Sequence, residues 1–289
     1  MGKLDGKVAA VTGCGRGIGR GVVKALAANG AAVVVNDVGV TLSGEKEASS
    51  PADDVVREIK AAGGKAVANR DDIATVAGGA GLVSQAIKEF GQLDILVNVA
   101  GILRDRMIFN MTEQEWDEVI RVHLKGHYCT IRPAAAYMRE RKYGRIINFS
   151  SNSGLGAPGQ PNYAAAKLGI LGFTYSCANA LQKYNITCNA IMPFAATRMT
   201  DTIPGRPPSS AAEGTERDPA NVAPVVVYLA SDDAQYVTGQ CFGAAGYRIM
   251  RYRHIVPDRI IYSTGPWNID KLFEVFKSTL GADLEVPRT

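Results

Sequence analysis

No Cys-x-x-Cys pair occurs among the five cysteines of this 289-residue chain, Cys14, Cys129, Cys177, Cys188 and Cys241. Zinc ribbons and dithiol redox centres use that spacing, so neither is expected. His123 and His127 stand four apart and can share a helix face, but no neighbouring Cys, His or acidic residue completes a ligand set. No metal is expected. No apolar stretch reaches the roughly 20 residues that span a bilayer, and Lys3, Asp5 and Lys7 interrupt the start where a secretory core would lie. Neither sign of charge dominates: 32 basic against 28 acidic residues give +4, mixed along the chain, which is no nucleic-acid footprint. The ending Val286-Pro287-Arg288-Thr289 does not carry a Ser-Lys-Leu peroxisomal address. A reducing cytoplasm is the expected location. There is no repeat at solenoid spacing, and 46% hydrophobic with 21% charged residues fits one large domain with a full core.

What is present alternates strand and helix. Apolar runs at Val8 to Val11, Ala32 to Val35, Ala66 to Ala68, Ile95 to Val97, Ile146 to Phe149 and Thr187 to Ile191 read as buried strands. Helical spacing separates them, as in Leu82, Val83, Ala86, Ile87 and Phe90. Thr112-Glu113-Gln114-Glu115 is a capping-box start for the helix carrying Trp116, Val119 and His123. Ser50-Pro51 reads as N-cap and first helical residue. Such alternation predicts an α/β fold, a Rossmann-like doubly wound parallel sheet with ligands at the strands' C-terminal ends.

The first strand runs into Thr12-Gly13-Cys14-Gly15-Arg16-Gly17-Ile18-Gly19, and helical spacing follows through Ile18, Val22 and Leu26. A glycine-rich strand-to-helix turn lets a pyrophosphate approach the backbone and rest on free N–H groups. The spacing is Gly-x-x-x-Gly-x-Gly, through Gly13, Gly17 and Gly19. Asp37 closes the second strand, where a carboxylate accepts hydrogen bonds from adenosine ribose hydroxyls and repels a 2′-phosphate. NAD is therefore expected rather than NADP. Arg16, a cation in the glycine loop, is the feature that argues for a 2′-phosphate.

Ser151 lies at the end of the strand Arg145 to Phe149, and twelve residues later Tyr163 opens a Tyr-x-x-x-Lys pair with Lys167. Asn162 to Lys183 reads as one helix, so residues four apart share a face. A phenol with an ordinary pKa near ~10 is a poor base at neutral pH. A nearby ammonium and a positive nicotinamide ring are expected to pull it down. Tyr163 is then placed to move an alcohol's proton, with Ser151 holding the substrate oxygen.

From about Gly6 to about Gly246 these residues resemble the short-chain dehydrogenase/reductase family. The resemblance implies cofactor contacts from Thr12 to Gly19, at Asp72 and Ile73 against adenine, and in Asn98-Val99-Ala100-Gly101, similar to the family's Asn-Asn-Ala-Gly. It implies that Ser151, Tyr163 and Lys167 are catalytic, that Lys167 also grips the nicotinamide ribose, and that Pro193 and its successors, Ala196 among them, close over the nicotinamide. Asn36 to Gly39, Gly64 to Asn69, Gly101 to Arg106, Arg121 to Gly126 and Arg198-Met199-Thr200 resemble the (3R)-hydroxyacyl-CoA dehydrogenase branch of multifunctional beta-oxidation enzymes and bacterial relatives. That branch handles acyl-CoA and, in some members, steroid or cyclic alcohols.

The chain departs from the family pattern in four places. Val99 replaces the second asparagine of the motif, and His123 stands at the position of a fourth catalytic asparagine. The serine-to-tyrosine interval is one residue short of the usual thirteen, which leaves Ser150 as an alternative to Ser151. Phe194-Ala195-Ala196-Thr197 follows Pro193 where a glycine and a later threonine are usual.

Two stretches exceed a minimal fold of this kind. Gly39 to Ser49 reads as a long surface loop, and Thr202 to Pro219, with four prolines, lies where a substrate lid would be. The expected division is a nucleotide-binding catalytic domain at 1–246 and an extension at 247–289. The extension is rich in arginine at first, with an apolar helical stripe at Ile269, Leu272, Phe273, Phe276 and Leu280. Those cations suit CoA phosphates, a subunit interface or water. By resemblance a homodimer or homotetramer is expected. The expected activity is NAD-dependent interconversion of a secondary alcohol and a ketone, with 3-hydroxyacyl-CoA as substrate. A steroid or cyclic alcohol is the alternative within that chemistry, and an inactive NAD-binding partner subunit the alternative outside it.

Overall fold

In the computed structural model, which describes residues 2–40, 50–202, 205 and 207–284, the apolar runs become strands β1 (Val8–Thr12), β2 (Ala32–Asn36), β3 (Ala66–Asn69), β4 (Ile95–Asn98), β5 (Gly144–Phe149), β6 (Ile186–Phe194) and β7 (Cys241–Ala245). They pair in parallel in the order β3-β2-β1-β4-β5-β6-β7. Helices cover both faces, which is why the central strands read as continuous apolar runs rather than alternating ones. One layer packs Val22, Val23 and Leu26 of α1 (Gly17–Ala28), Val55 and Ile59 of α2 (Pro51–Ala61), and Val226 and Leu229 of α7 (Ala223–Ala230) on the sheet. The other packs Leu82, Val83 and Ala86 of α3 (Val76–Phe90), Ile131 and Met138 of α5 (Gly126–Arg141), and Ala178 of α6 (Pro161–Leu181). Each fully buried Val, Leu or Ile contributes about 1.5–3 kcal/mol relative to exposure.

The strand order reverses between β1 and β4, because β2 and β3 lie to one side of β1 and β4 to β7 to the other. A crevice opens outside the carboxyl ends at such a switch point. It lies between the β1 turn and the β4 turn, where Thr12 is in register with Asn98.

Local signals behave as the chemistry of the ends dictates, with exceptions. Thr112 and Glu115 form the reciprocal capping box of α4 (Glu113–Ile120). Pro51 sits at the start of α2 as expected, but the Ser50 side chain does not cap it. Its hydroxyl accepts instead from Arg70 Nε at 3.2 Å, a tertiary partner the local pattern could not show. Helix α6 ends at Leu181 and tightens into a 3-10 turn over Gln182–Tyr184.

The extension does not stand apart from the sheet. Arg248–Arg251 forms β8, antiparallel to β7, as the eighth strand. The apolar stripe forms α8 (Ile269–Phe276), but Ile269 and Phe273 are 75% and 81% exposed, so among the described residues that face is not docked on the chain's own core. Positions 41–49 of the long loop after β2, positions 203, 204 and 206 of the expected lid, and the terminal Val286 to Thr289 lie outside the described residues. The rest of the lid stretch carries 3-10 turns at Ser209–Ala211 and Pro219–Val222, with Ala212 fully buried as an apolar anchor.

Candidate active site

The glycine turn is shaped by contacts that leave no room for side chains. Gly13 adopts φ +59°, and a Cβ there would lie 2.5 Å from Ala100 Cα in the β4 turn. A Cβ on Gly19 would lie 2.4 Å from the Gly13 carbonyl oxygen, so α1 starts hard against the end of β1. Gly17 adopts φ +51°, a left-handed conformation open to glycine at little cost. Arg16 is the N-cap residue of α1, with extended backbone. The Thr12 hydroxyl accepts from the Val99 and Ala100 N–H groups at 3.0 and 3.2 Å and ties the two turns together.

These turns frame a cleft of about 970 Å³, bordered among others by Gly13, Gly17, Asp37, Ile73, Tyr163 and Lys167. Arg16, Ile18, Gly19, Asp72, Ala100, Gly101, His123 and Pro193 also border it. Asp37, just past β2, accepts from Gly15 N–H at 3.0 Å and Gly39 N–H at 2.9 Å. Its carboxylate thereby joins the glycine turn to the β2 loop. Asp72 pairs with Arg121 at 2.9 Å, both about half exposed, while Ile73 is buried.

The Ser-Tyr-Lys group assembles across the same edge from β5 and α6. The Ser151 hydroxyl accepts from Ser153 N–H at 3.1 Å and stands near enough to the Tyr163 phenol to pull its pKa down. Lys167 lies one turn along α6, its Nζ 5.4 Å from the Tyr163 ring centroid and donating to the Phe149 carbonyl at 2.6 Å. Burial governs both titrations. It pushes the Tyr163 phenol up to about 12, against the lowering pull of Ser151 and with Asp105 adding to the rise. It brings the Lys167 ammonium down to about 7. The expectation that the ammonium lowers the phenol is therefore corrected for the protein by itself. The ammonium is spent on the Phe149 carbonyl, and desolvation outweighs charge.

His123 sits in a π-helical turn, Arg121–Lys125, between α4 and α5. It is buried beside Tyr163, with ring centroids 5.1 Å apart and planes at 87°. Its Nε2 lies 2.8 Å from the Ile102 carbonyl and 3.0 Å from the Ile102 N–H, while Nδ1 is buried with no partner among the described residues. Burial, then the Lys167 charge, holds its pKa well below the usual imidazole range. The neighbouring His127 donates from Nδ1 to the His123 carbonyl at 2.6 Å and is lowered to about 3 by the same causes. Both rings are neutral at physiological pH, and no cluster able to hold a metal occurs among the described residues.

Three of the expected residues lie off the cleft wall. Asn98 donates to Asn148 Oδ1 at 3.0 Å and accepts from Thr130 Oγ1 at 2.8 Å, inside the sheet–helix layer. Its amide is committed to the fold rather than turned to a ligand. Ala196 is buried and donates from its N–H to the Arg217 carbonyl at 2.8 Å. Ser151 is almost fully buried and not among the residues bordering the cleft, while Ser150 borders it and spends its proton on the Lys167 carbonyl at 2.8 Å. The roles of Thr12, Thr130 and Asn148 were not legible in the sequence. The direct register of Asn98 with Asn148 is a property of strand pairing that no local spacing records.

Residues 7–206 match the short chain dehydrogenase family. The peroxisomal hydratase-dehydrogenase-epimerase of Neurospora crassa is 46% identical over 252 residues, covering 87% of this chain and 27% of that protein. This chain thus spans less than a third of that relative's length. The hydroxyacyl-CoA dehydrogenase ChsB1 of Mycobacterium tuberculosis is 44% identical over 256 residues, 85% of this chain and 79% of that one. Among solved structures, a short chain dehydrogenase from Mycobacterium avium superposes with a TM-score of 0.86 at 44% identity, covering 99% of this chain and 98% of that chain.

Proposed function

The chain belongs to the short-chain dehydrogenase/reductase family, and from that premise we propose that it is an NAD-dependent oxidoreductase interconverting a secondary alcohol and a ketone, with a 3-hydroxyacyl-CoA as substrate. The observation that carries the reading is the convergence of Ser151, Tyr163 and Lys167 beside a glycine-framed cleft at the sheet's switch point.

The residues present fit a dinucleotide. Gly13, Gly17 and Gly19 border the cleft without side chains of their own, and the N-terminus of α1, which has no side-chain cap, offers N–H groups to a pyrophosphate there. Gly17, Ile18 and Arg16 would hold the phosphates, Asp37 the adenosine ribose, and Asp72 and Ile73 the adenine. Ala100, Gly101 and Pro193 would line the nicotinamide end. The position of Asp37 favours NAD over NADP. A bound nicotinamide would supply the hydride chemistry between the alcohol carbon and the ketone.

In the reductive direction Tyr163, held protonated by burial, donates its proton to the ketone oxygen; in the oxidative direction it removes the hydroxyl proton once the positive charge of a bound nicotinamide ring offsets that burial. Ser151 holds the reacting oxygen beside the phenol. Lys167, brought to about 7 by burial, is a group on this wall that changes charge near neutral pH. It serves to bind the ribose hydroxyls and to compensate charge as Tyr163 loses its proton. His123, neutral and edge-on to the phenol ring, limits how that ring can turn.

Residues 1–246 form the proposed catalytic unit and 247–289 its extension. The exposed apolar face of α8 supports a homodimer or homotetramer. Five free cysteines support a reducing compartment, the cytoplasm in this reading.

The test is reduction of NAD and of NADP, followed by absorbance, across 3-hydroxyacyl-CoAs, steroids and cyclic alcohols. Turnover with NAD on the acyl-CoA group supports the whole reading, and turnover on a steroid or cyclic alcohol alone replaces the substrate class. NADH binding with no turnover anywhere on the panel overturns the proposed substrate class and leaves an inactive partner subunit or a substrate outside these classes.

A further inference from the structure

Three consecutive residues leaving β5 hold helix α6. Asn148 Nδ2 donates to Thr174 Oγ1 at 3.0 Å, the Phe149 carbonyl accepts from Lys167 Nζ at 2.6 Å, and Ser150 Oγ donates to the Lys167 main-chain carbonyl at 2.8 Å. All five residues are at most 3% exposed. Two of the three bonds end on Lys167, one at the head of its side chain and one at its backbone. A lysine has a four-carbon flexible stem, so a fixed ammonium position needs both ends held.

The serine pair divides between two tasks because the backbone at Ser151 is extended, with φ −159° and ψ 149°. Adjacent residues in extended chain point to opposite sides. Ser150 therefore turns to the α6 backbone, while Ser151 faces the other way, accepting from Ser153 N–H at 3.1 Å and near enough to the Tyr163 phenol to lower its pKa. The Lys167 carbonyl has two lone pairs, one used by the helix ladder and the other open to Ser150. Ser150 borders the cleft, yet its single proton is already committed.

We propose that Ser150 is a positioning residue for the dehydrogenase reaction, holding the turn of α6 that carries Lys167 so that the ammonium reaches the nicotinamide ribose, and that with its proton committed the reacting oxygen is left to Ser151. The proposal rests on the dehydrogenase reading and adds a role for the serine that reading leaves unassigned. Loss of the Ser150 bond acts on cofactor affinity first, because the displaced group is the ribose-binding lysine. Loss of the Ser151 hydroxyl acts on the chemical step and not on cofactor affinity.

The experiment compares full-length Ser150→Ala, Ser150→Thr and Ser151→Ala with the wild type, measuring NADH affinity by fluorescence titration, kcat and KM, and melting temperature. Ser150→Ala is expected to weaken NADH binding about fivefold, the typical worth of one hydrogen bond. It should lower kcat by about tenfold and leave the alcohol KM within about twofold. Ser150→Thr, which keeps the hydroxyl, should restore both. Ser151→Ala should keep NADH affinity and lower kcat by about a hundredfold.

Wild-type NADH affinity in a folded Ser150→Ala overturns the proposal. So does a Ser150→Ala variant that copies Ser151→Ala, since that pattern makes Ser150 the catalytic serine. If Ser150→Ala does not fold, Ser150→Cys, with its weaker donor, must show the same loss in milder form; unchanged affinity there overturns the proposal equally. Should the wild type bind NADH but turn over no substrate, the dehydrogenase reading fails on that result, while the NADH affinities still decide the role of Ser150.

Discussion

The imidazole of His123 meets the ring of Tyr163 edge to face, 5.1 Å between centroids and 87° between planes. The space for that imidazole exists because residue 101 is glycine. A Cβ on Gly101 would lie 2.2 Å from His123 Cε1, far inside contact distance. Gly101→Ala should therefore displace the histidine and loosen its hold on the phenol. The expected loss is about 1–3 kcal/mol of stability, the usual cost of overpacking, with kcat reduced at least about tenfold. Denaturant unfolding and steady-state kinetics measure both. Adding His123→Asn, a smaller side chain, should recover part of the stability; strict additivity of the two substitutions would mean that they do not meet.

Tyr163→Phe removes the phenol oxygen and keeps the ring that His123 packs against. NADH binding should persist while turnover falls by about a hundredfold or more, the scale of general acid–base catalysis. Unchanged turnover in the folded variant would remove Tyr163 from the chemistry.

The Asp37 carboxylate bonds Gly15 and Gly39 N–H, and the proposed function gives it the adenosine ribose as well. Asp37→Ala should raise KM for NAD by about tenfold or more, losing charge-assisted hydrogen bonds worth about 1.5–3 kcal/mol. KM for NADP should change less, so the ratio of kcat/KM for the two cofactors moves toward NADP. A ratio that stays where it was would assign cofactor choice to another residue, Arg16 first.

For Asn98 the structure separates stability from binding. Its amide links Thr130 to Asn148, and Asn148 goes on to Thr174 on α6. Asn98→Ala strands two buried partners, at about 1–3 kcal/mol for each unsatisfied group. NADH affinity of the folded fraction should change less than about twofold. A large loss of affinity with intact stability would return Asn98 to the cofactor site.

Lys167 makes stability depend on pH in a calculable direction. Burial lowers its pKa from 10.5 to about 7. Between those values the unfolded chain binds the proton and the folded chain does not, so stability rises with pH across that window. Going from pH 7 to pH 9, the wild type should gain about 2 kcal/mol more than Lys167→Met in denaturant unfolding, at 1.36 kcal/mol per unit for one proton. Parallel behaviour of the two proteins would show that the lysine stays charged in the fold.

Much of this molecule follows from local sequence. Continuous apolar runs bounded by glycine specify buried parallel strands, because only a sheet covered on both faces buries every residue of Val8–Thr12. The capping box at Thr112 and the Tyr163–Lys167 spacing are also local, set by helix geometry over three or four residues. Chain order then brings the glycine turn, Asp37 and the Ser-Tyr-Lys group to one sheet edge, since right-handed crossovers leave few alternatives.

Other features depend on which elements become neighbours. The antiparallel β8, Arg248–Arg251, was hidden because Ile249 and Met250 are only a two-residue apolar run between arginines, too short to read as a strand. Ser50 lost its cap to Arg70, and Asn98 turned inward to Asn148, through partners 20 and 50 residues away in the chain. The direction of the two active-site pKa shifts was likewise decided by tertiary burial, which a spacing of four residues does not encode. Which chemical groups the chain carries, and in what local geometry, follows from the order of its residues. The tertiary structure decided which of them face the cleft and which are spent holding the fold, because desolvation and hydrogen-bond partnership arise only when distant segments pack.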